Sequence, residues 1–473
     1  MDTLKLGSNR RLPSVWLGGG GLALGLLIAA ALASPRVVEF LPSANSRHVG
    51  SMSPLRLTFS RPMDQASVEL RLSVDPGLPG RLEWDGSTLS FYPLQPWPTD
   101  GPVQVRLAPF ARSAQLLPML RGMTWTFLVD PARVIYLWPA NGTAQLYALD
   151  PVSGDRQFLA GAEAGVVDYA VSTHGERLVY AAQRPDGGVD LRQLDLTSGE
   201  DTLVYPCPEG IRCQALDLDP AGKRLAFEKS SWVTGAGGRQ IPGPKQVLEL
   251  ELQSPAEPTL LGPAEHDTSA PDWSPVGLLA FYDGSLRSMT VVDPRQGPPP
   301  PTISLLPNEL GLLGSWSPDG ASLVLAEMLF QEGSSTATGD QAAFYSHLVA
   351  FDVLTSATQD LSREGGELVE DASPAVSPDG RWVAFARKYL DQRWTPGRQL
   401  WVMRSDGSQA RQLTFEPDFN HSGLNWAPDS ASLVYVRVDQ TSLTPSPDIW
   451  LMELEQAEPR LLAEGAYTPR WIP

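Results

Sequence analysis

Short stretches of alternating apolar and polar residues recur along residues 131–473, and each follows a tight polar turn. In "PAVSPDGRWVAFARK", from Pro374, the apolar Val383 and Phe385 stand three and five positions after Gly380. This alternation indicates a β-strand, because successive side chains of a strand point to opposite faces. Related turns occur six times along the chain, with the fourth turn position at Gly175, Gly222, Gly277, Gly320, Gly380 and Ser430.

The copies lie 43 to 60 residues apart, and each continues into a third and a fourth strand, as in "QLWVMRSDGSQARQLT" from Gln399. A repeat of four strands with this period predicts one blade of a β-propeller. The chain finishes with "YTPRWIP", a further first strand, while three strands without a first strand begin at Arg133, Gln145 and Arg156. Pairing these segments leaves no exposed sheet edge. The sequence therefore predicts an all-β fold with a seven-bladed propeller, closed by pairing of the C-terminal strand with the first strands of the array.

The repeats resemble those of the TolB-like β-propeller family, whose hallmark is the unit x-W-S-P-D-G-x-x-L-x-F. The clearest matches are "WSPDGASLVL" from Trp316 and "WAPDSASLVY" from Trp426. The resemblance covers about residues 131–473 and implies the fold. TolB itself has six blades and a different N-terminal domain, so no role in a Tol system is expected.

Residues 37–130 also read as a β-unit, with short strands separated by turns rich in Pro, Gly and Asp. The blocks "LTFSRPMDQASV" from Leu57 and "GRLEWDGSTLSFYP" from Gly80 resemble the SbsA-type bacterial Ig-like family. That resemblance implies a β-sandwich that serves as an extracellular spacer or adhesive module.

No charged residue occurs from Leu12 to Pro35. A helix of this length can cross the hydrocarbon core of a bilayer, so residues 12–35 are predicted to be a transmembrane signal anchor. Lys5, Arg10 and Arg11 precede it, which favours a cytoplasmic location for residues 1–11 and export of the remainder to the periplasm or cell surface. Alternatively, Ala31-Leu32-Ala33 fits a signal-peptidase site, and cleavage after Ala33 would release a secreted protein.

The formal net charge of −18 and the presence of only five lysines argue against a nucleic-acid partner. The only cysteines, Cys207 and Cys213, are candidates for a disulfide in an oxidising compartment, with a pair of free thiols as the alternative. The five histidines show no metal-ligand spacing, so neither a metal nor a cofactor is expected.

Two repeated residue types have structural explanations. The tryptophans before the turns occupy a common repeat position and are expected to fill the space between blades: Trp273, Trp316, Trp426 and Trp471. The turn aspartates are expected to bond their own backbone rather than calcium: Asp319, Asp379 and Asp429.

The loops between second and third strands, and between consecutive blades, vary most and should lie on one face of the propeller, where recognition residues concentrate. Their aromatic, Arg and His side chains form a predicted binding set: Trp232, Arg239, Tyr345, Tyr389, Arg393, Trp394, Phe419 and His421. We expect a non-enzymatic, membrane-anchored binding or scaffold protein whose partner is an envelope protein or a glycan. The alternatives are a glycan-processing enzyme with acidic residues at the propeller mouth and a purely structural spacer. A serine hydrolase is disfavoured because no G-x-S-x-G elbow is present.

Overall fold

The computed structural model describes residues 34–46, 49–234, 238, 240–253, 257–309, 311–330, 344–362, 368–456 and 458–473. The predicted membrane segment at 12–35 lies outside these residues apart from its last two positions. Among the described residues, none of the helices has the length and apolar character needed to cross a bilayer.

Contacts divide the described chain into two compact units. The first contains residues 34–46, 54–94 and 100–128, and the second contains residues 49–53, 95–99 and 129–473. The two short segments 49–53 and 95–99 belong with the second unit although the sequence pattern groups them with the first.

The first unit is built from one short helix and two antiparallel sheets. Its elements are β1 (Val37–Leu41), β2 (Leu55–Phe59), α1 (Gln65–Glu69), β3 (Leu72–Asp75), β4 (Gly80–Asp85), β5 (Thr88–Pro93), β6 (Val103–Leu107) and β7 (Met123–Phe127). One sheet has the order β1-β2-β5-β4 and the other has the order β3-β6-β7. Buried residues alternate with exposed ones along β6, and Phe40 of β1 stacks on Trp125 of β7 with 4.4 Å between ring centroids. The core of this unit therefore lies between its two sheets.

The second unit is a series of strands, with a 3-10 turn at Pro294–Gln296. Its strands are β8 (Arg133–Trp138), β9 (Gln145–Leu149), β10 (Arg156–Ala160), β11 (Val166–Val171), β12 (Arg177–Gln183), β13 (Val189–Asp195), β14 (Asp201–Pro206), β15 (Ile211–Leu218), β16 (Arg224–Thr234), β17 (Gln240–Glu251), β18 (Thr259–Leu260), β19 (Thr268–Trp273), β20 (Leu279–Asp283), β21 (Ser288–Val292), β22 (Thr302–Pro307), β23 (Ser315–Trp316), β24 (Ser322–Phe330), β25 (Phe344–Asp352), β26 (Thr358–Asp360), β27 (Val369–Val376), β28 (Trp382–Tyr389), β29 (Gln399–Arg404), β30 (Arg411–Gln412), β31 (Phe419–Trp426), β32 (Ser432–Asp439), β33 (Pro447–Glu453), β34 (Pro459–Ala463) and β35 (Tyr467–Ile472).

These strands form seven antiparallel groups of four, here named R1 to R7. R1 combines β8, β9 and β10 with β35, and R2 to R7 take the remaining strands four at a time in chain order. R5 and R6 are also linked by one parallel pairing, between Ser346 and Glu370. In R1, Arg470 of β35 lies opposite Ile135 of β8, and Trp471 lies opposite Val134. The last strand thus completes a sheet whose other strands lie at the start of the array, which is the pairing that the sequence predicts.

Each sheet shares a buried apolar cluster with the next sheet, within the part of the chain that the structure describes. Tyr180 of R2 packs with Ile135 of R1, and Phe227 of R3 packs with Leu191 of R2. The series returns to its start, because Val434 of R7 packs with Val134 of R1. Neighbouring positions on a middle strand face different clusters, so these strands are buried on both sides.

The repeated turns form as their residue types require. In R6, Ser377 Oγ donates to Asp379 Oδ1 at 2.6 Å, and the same carboxylate oxygen accepts the backbone N–H of Arg381 at 3.0 Å. Gly380 follows at a φ of 71°, a conformation that glycine adopts without steric cost. The predicted turn role of Asp379 is confirmed.

The tryptophans before the turns lie between sheets, as predicted. Trp273, Trp316 and Trp426 are buried within the inter-sheet clusters. Trp426 Nε1 donates to the carbonyl of Ala375 in the preceding sheet at 2.8 Å. The indole therefore joins consecutive first strands by packing and by a hydrogen bond.

One segment expected to be a loop is largely a hairpin. Residues 229–234 and 240–245 continue β16 and β17, with Trp232 opposite Pro242 and Thr234 opposite Gln240. The expectation of a loop was wrong because Ser, Trp, Val and Thr here extend the pairing well past the usual strand length. Cys207 and Cys213 are joined in a disulfide and are buried between R2 and R3.

Candidate recognition surface

Three segments meet at one end of R6 and R7 and form what we call the R6–R7 rim: residues 388–398, 413–421 and 437–446. Backbone bonds connect them. Gly397 N donates to Pro417 O at 3.0 Å, and Gln440 N donates to Asp418 O at 2.9 Å. The loops between second and third strands therefore lie beside the connection from one sheet to the next, as topology predicts.

Glycine at position 397 permits a close approach of the backbone to Phe419. A Cβ atom there would lie 2.0 Å from the carbonyl oxygen of Phe419, far inside van der Waals contact. The rim is therefore held by a backbone contact that any larger residue would separate.

The exposed part of the rim consists of cations stacked on aromatic rings. The Arg393 guanidinium lies 3.6 Å from the ring centroid of Tyr389, and Lys388 Nζ lies 4.6 Å from that of Trp394. Asp391 holds Arg393 at 2.6 Å, and this bond lowers the pKa of the Asp391 carboxyl. Trp394 remains 55% exposed and nearby Phe415 remains 74% exposed. Large exposed aromatics beside oriented cations are typical of a binding surface.

A second cluster in the rim is less exposed and is centred on Arg437. Its guanidinium lies 4.1 Å from the ring of Phe419 and 3.8 Å from the ring of Trp450. Arg437 Nη1 donates to both carboxylate oxygens of Glu416 at 2.9 Å. An arginine held between two aromatic rings and a carboxylate is fixed in position.

His421 is fully buried at the base of this cluster. Its Nδ1 lies 2.8 Å from the carbonyl of Arg398, and its Nε2 lies 3.8 Å from Glu416 Oε2 without a hydrogen bond. Burial, assisted by the nearby Arg437 charge, lowers the pKa of His421 to about 4. The ring is therefore neutral near pH 7, with Nδ1–H donating to Arg398 and Nε2 available as an acceptor.

Two further buried polar atoms beside His421 have no hydrogen-bond partner among the described residues: the Tyr435 hydroxyl and Trp450 Nε1. The His421 and Tyr435 rings lie 5.5 Å apart, and Tyr435 is paired with Trp450 across two strands. Burial raises the pKa of Tyr435, which keeps its hydroxyl protonated. Unpaired buried polar groups are costly in free energy and often mark functional sites.

The corresponding positions of R6 are fully paired. Asp371 and Arg387 stand in R6 where His421 and Arg437 stand in R7. Arg387 donates from Nε and Nη2 to the two Asp371 oxygens at 2.7 Å, and Ser362 Oγ adds a third bond. R6 therefore satisfies by an ion pair the positions that leave an unpaired ring nitrogen in R7.

The structure brings together five of the eight predicted binding residues at this rim: Tyr389, Arg393, Trp394, Phe419 and His421. Only Arg393 and Trp394 of these lie in a loop, since the other three lie within strands.

Of the other three predicted residues, Tyr345 and Trp232 lie elsewhere in the second unit. Tyr345 is within β25, opposite Leu329, and its ring lies 4.9 Å from that of His347. Trp232 is within β16, and Arg239 is outside the described residues.

The predicted binding set does not include four residues of the rim cluster: Glu416, Arg437, Tyr435 and Trp450. A signal was available for Arg437, which stands seven positions after the turn residue Ser430, as Arg387 does after Gly380. A comparison of repeat positions would have identified Arg437 as the counterpart of Arg387.

A second group of polar residues lies on the first strands of R2, R3 and R4. Asp168 Oδ2 accepts Leu216 N at 2.9 Å, and Asp217 Oδ2 accepts Trp273 N at 2.6 Å, so each carboxylate joins one first strand to the next. Asp272 Oδ2 is enclosed and has no hydrogen-bond partner in the part of the chain that the structure describes. Burial raises the pKa of all three carboxyls, and the Asp217 charge adds to the effect at Asp272. The positive charge of Arg470 lowers the pKa of each of the three carboxyls and so partly offsets the effect of burial.

Within the described residues, no group of three or more His, Cys, Asp and Glu side chains is placed to hold a metal ion. A cavity of about 160 Å³ opens between R2 and R3 and is lined in part by Val167, Arg212 and the disulfide-bonded Cys213.

No protein-family model matches the chain. Solved structures that resemble it include the putative TolB of Agrobacterium tumefaciens, with 15% identity, a TM-score of 0.37 and coverage of 73% of this chain and 100% of that one. TolB of Acinetobacter baumannii aligns with 11% identity and a TM-score of 0.42, over 93% of this chain and 99% of that one. A puromycin-hydrolyzing peptidase of Mycobacterium tuberculosis aligns with 14% identity and a TM-score of 0.47, over 89% of this chain and 57% of the peptidase. At these identities the comparisons assign no activity to this chain.

Proposed function

We propose that R1 to R7 are the blades of a closed seven-bladed propeller that presents the R6–R7 rim to a partner. Two observations support closure: β35 pairs with β8, and the cluster around Val134 and Val434 packs the last sheet against the first. Closure matters for function because it fixes the rim loops on a rigid scaffold.

The protein then acts as a binding or scaffold protein outside the cytoplasm, attached to the membrane through residues 12–35. Its partner is an envelope protein or a glycan. The observation that carries this proposal is the composition of the rim, which contains the exposed Trp394 and Phe415 together with an arginine, Arg437, that aromatic rings hold in place. Protein and sugar surfaces both pack on exposed aromatic faces and bond to oriented arginines.

The experiment is crosslinking in intact cells, with a photoreactive phenylalanine analogue in place of Trp394. We expect a discrete crosslinked product whose yield falls at least tenfold in the Arg393→Ala variant, because truncation of an arginine at an interface hot spot costs about 2 kcal/mol or more.

The chain offers a matched control at the other end of the same sheet. Arg381 is bonded to Asp379 at 2.6 Å and precedes Trp382, just as Arg393 is bonded to Asp391 and precedes Trp394. Arg381→Ala should leave the crosslink yield unchanged. Equal losses in both arginine variants would refute recognition at the rim.

The first-strand carboxylates favour a second candidate, a glycan-processing enzyme. A carboxyl with a raised pKa, such as Asp272, is suited to donate a proton to a leaving group. The enzyme hypothesis would be supported if the wild type released reducing ends from envelope glycans and the Asp272→Asn variant did not. If the wild type releases no reducing ends, the enzyme hypothesis is wrong.

A further inference from the structure

The first unit carries an exposed apolar surface at one end, in the connection between β6 and β7. We call residues 108–122 the apolar loop. Phe110, Leu116 and Leu120 are exposed by 58%, 66% and 53%. Exposed apolar residues grouped in this way mark contact sites rather than ordinary surface.

The apolar loop is held in place by its own buried residues. Ala111, Ser113 and Met119 are buried and alternate with the exposed positions. Met119 N donates to Ala111 O at 2.7 Å, Asp64 N donates to Arg112 O at 2.9 Å, and Ala114 N donates to Pro62 O at 3.0 Å. Phe110 and Leu116 take φ values of 71° and 64°, which are rare for such residues. The outward position of the apolar side chains is therefore built into the backbone.

The apolar loop and its flanking strands carry only basic side chains among their charged residues, in contrast to the acidic chain as a whole. Between Gly101 and Val129 the sequence has Arg106, Arg112 and Arg121 and no acidic residue, and all three arginines are exposed. Asp64, Glu69 and Asp85 lie at the same end of the unit. Two of them have bonds within the unit, because Asp64 caps α1 by accepting Ser67 N and Glu69 accepts Trp84 Nε1.

The described chain begins beside this loop. Ser34 Oγ donates to the carbonyl of Pro118 at 2.9 Å. Residues 12–33, which precede Ser34, contain no charged side chain. The apolar loop therefore lies where the chain would leave the bilayer.

We propose that the apolar loop enters the interface of the membrane, with Phe110, Leu116 and Leu120 among the acyl chains and Arg106, Arg112 and Arg121 on anionic lipid headgroups. Apolar side chains flanked by arginines have the composition of interfacial membrane contacts. Such a contact would fix the orientation of the first unit at the bilayer. The inference rests on the proposed membrane segment, and it is independent of recognition at the R6–R7 rim.

The test places a nitroxide label on the full chain in vesicles of phosphatidylcholine, with and without phosphatidylglycerol. Both native cysteines form a disulfide, so Leu116→Cys provides a single labelling site. Leu94→Cys is the matched control, because Leu94 is 65% exposed and follows β5 at the end of its sheet away from Ser34. The readout is the accessibility of the label to oxygen, which partitions into lipid, relative to a polar nickel chelate.

We expect the ratio of oxygen to nickel accessibility to be several-fold higher at position 116 than at position 94. Changing both Arg112→Gln and Arg121→Gln should weaken the contact with anionic vesicles by about fivefold per arginine. The ratio at position 116 should then fall toward the control value.

Three outcomes would overturn the proposal. Equal ratios at the two positions in a chain that floats with the vesicles would refute the loop contact alone. Low accessibility to both reagents at position 116 would identify a protein partner or a second copy instead of lipid. A chain that does not float would refute the membrane segment and the loop contact together, while leaving the crosslinking at Trp394 as a separate test of recognition.

Discussion

The most informative single residue is His421. Its imidazole occupies the repeat position of Asp371 but lacks that residue's paired arginine, because Arg437 is bonded to Glu416 instead. The neighbouring charged groups are Glu416, Arg437 and the Arg398–Glu370 ion pair, and Tyr435 is protonated. The His421 ring is therefore neutral and buried, and its Nε2 atom is an available hydrogen-bond acceptor.

His421 predicts a pH dependence of stability. Its pKa is about 4 in the folded protein and 6.5 in the reference state. Between these values the unfolded chain binds the additional proton, so the contribution of the neutral ring to stability is complete above pH 6.5 and is lost as the pH falls toward 4. The loss amounts to about 3 kcal/mol.

The measurement is urea unfolding from pH 7 to pH 4, comparing wild type with His421→Asn, whose side-chain amide can still donate to Arg398 O. The variant should lose less stability than the wild type over this interval. The comparison is necessary because the raised pKa values of Asp217 and Asp272 act on stability in the opposite direction. Parallel pH profiles would contradict the assignment of a neutral buried His421.

Gly397 gives a prediction about the rim backbone. Gly397→Ala should lower the free energy of unfolding by about 1–3 kcal/mol, because its Cβ would overlap the Phe419 carbonyl. Gly101→Ala is a suitable control, since a Cβ there meets no atom within 4 Å. Equal effects of the two changes on the urea midpoint would show that the rim does not depend on this contact.

Among the elements, the first strands of the sheets share a feature that the alternation pattern does not reveal. Five of them carry a β-bulge at a residue with positive φ: Ala215, Ala270, Ser373, Gly423 and Thr468. The bulges bring backbone N–H groups toward neighbouring strands. Leu216 N, for example, reaches Asp168 and Ala270 N reaches Glu228 at 2.8 Å.

At the bulge in β19, substitution by glycine is expected to stabilise the protein. Ala270 has a φ of 54°, so Ala270→Gly should raise the free energy of unfolding by up to about 1 kcal/mol, since relief of the Cβ strain exceeds the added chain entropy. The control is Ala226→Gly in β16, where φ is not positive. This change should lower the free energy of unfolding by about 0.5 kcal/mol or more. Thermal unfolding of both variants measures the two changes in stability. A destabilised Ala270→Gly protein would contradict the presence of Cβ strain at this bulge.

The whole second unit depends on the pairing of its two chain ends. Removal of residues 467–473 would expose the edge of β8 and would take Ile472 and Trp471 out of their clusters. We expect the midpoint of thermal unfolding to fall by roughly 10 °C or more, because apolar burial and a row of backbone bonds are lost together. Removal of Pro473 alone, which lies outside β35, should change it by much less. An unchanged midpoint after the longer truncation would mean that the sheets do not depend on closure.

At this scale the repeats were the most predictable feature. Turn chemistry at Asp379 and Gly380 and the alternation at Val383 and Phe385 are local, so they can be identified in any copy without knowing the others. The pairing of β35 with β8 was also predictable, because an unmatched first strand and three unmatched later strands require one another. The hairpin beyond Lys229 was not, since strand extension there depends on cross-strand partners.

The sequence by itself determined the number of four-stranded repeats, their turns, the tryptophans between them and the pair of strands that joins the chain ends. These follow from periodicity and from backbone preferences that act over a few residues. Only the tertiary structure decided which side chains meet at the rim and which remain unpaired there. Glu416 and His421 come from one segment and Arg437 and Trp450 from two others, and their contacts depend on strand register and on the connection from R6 to R7, which no local preference encodes.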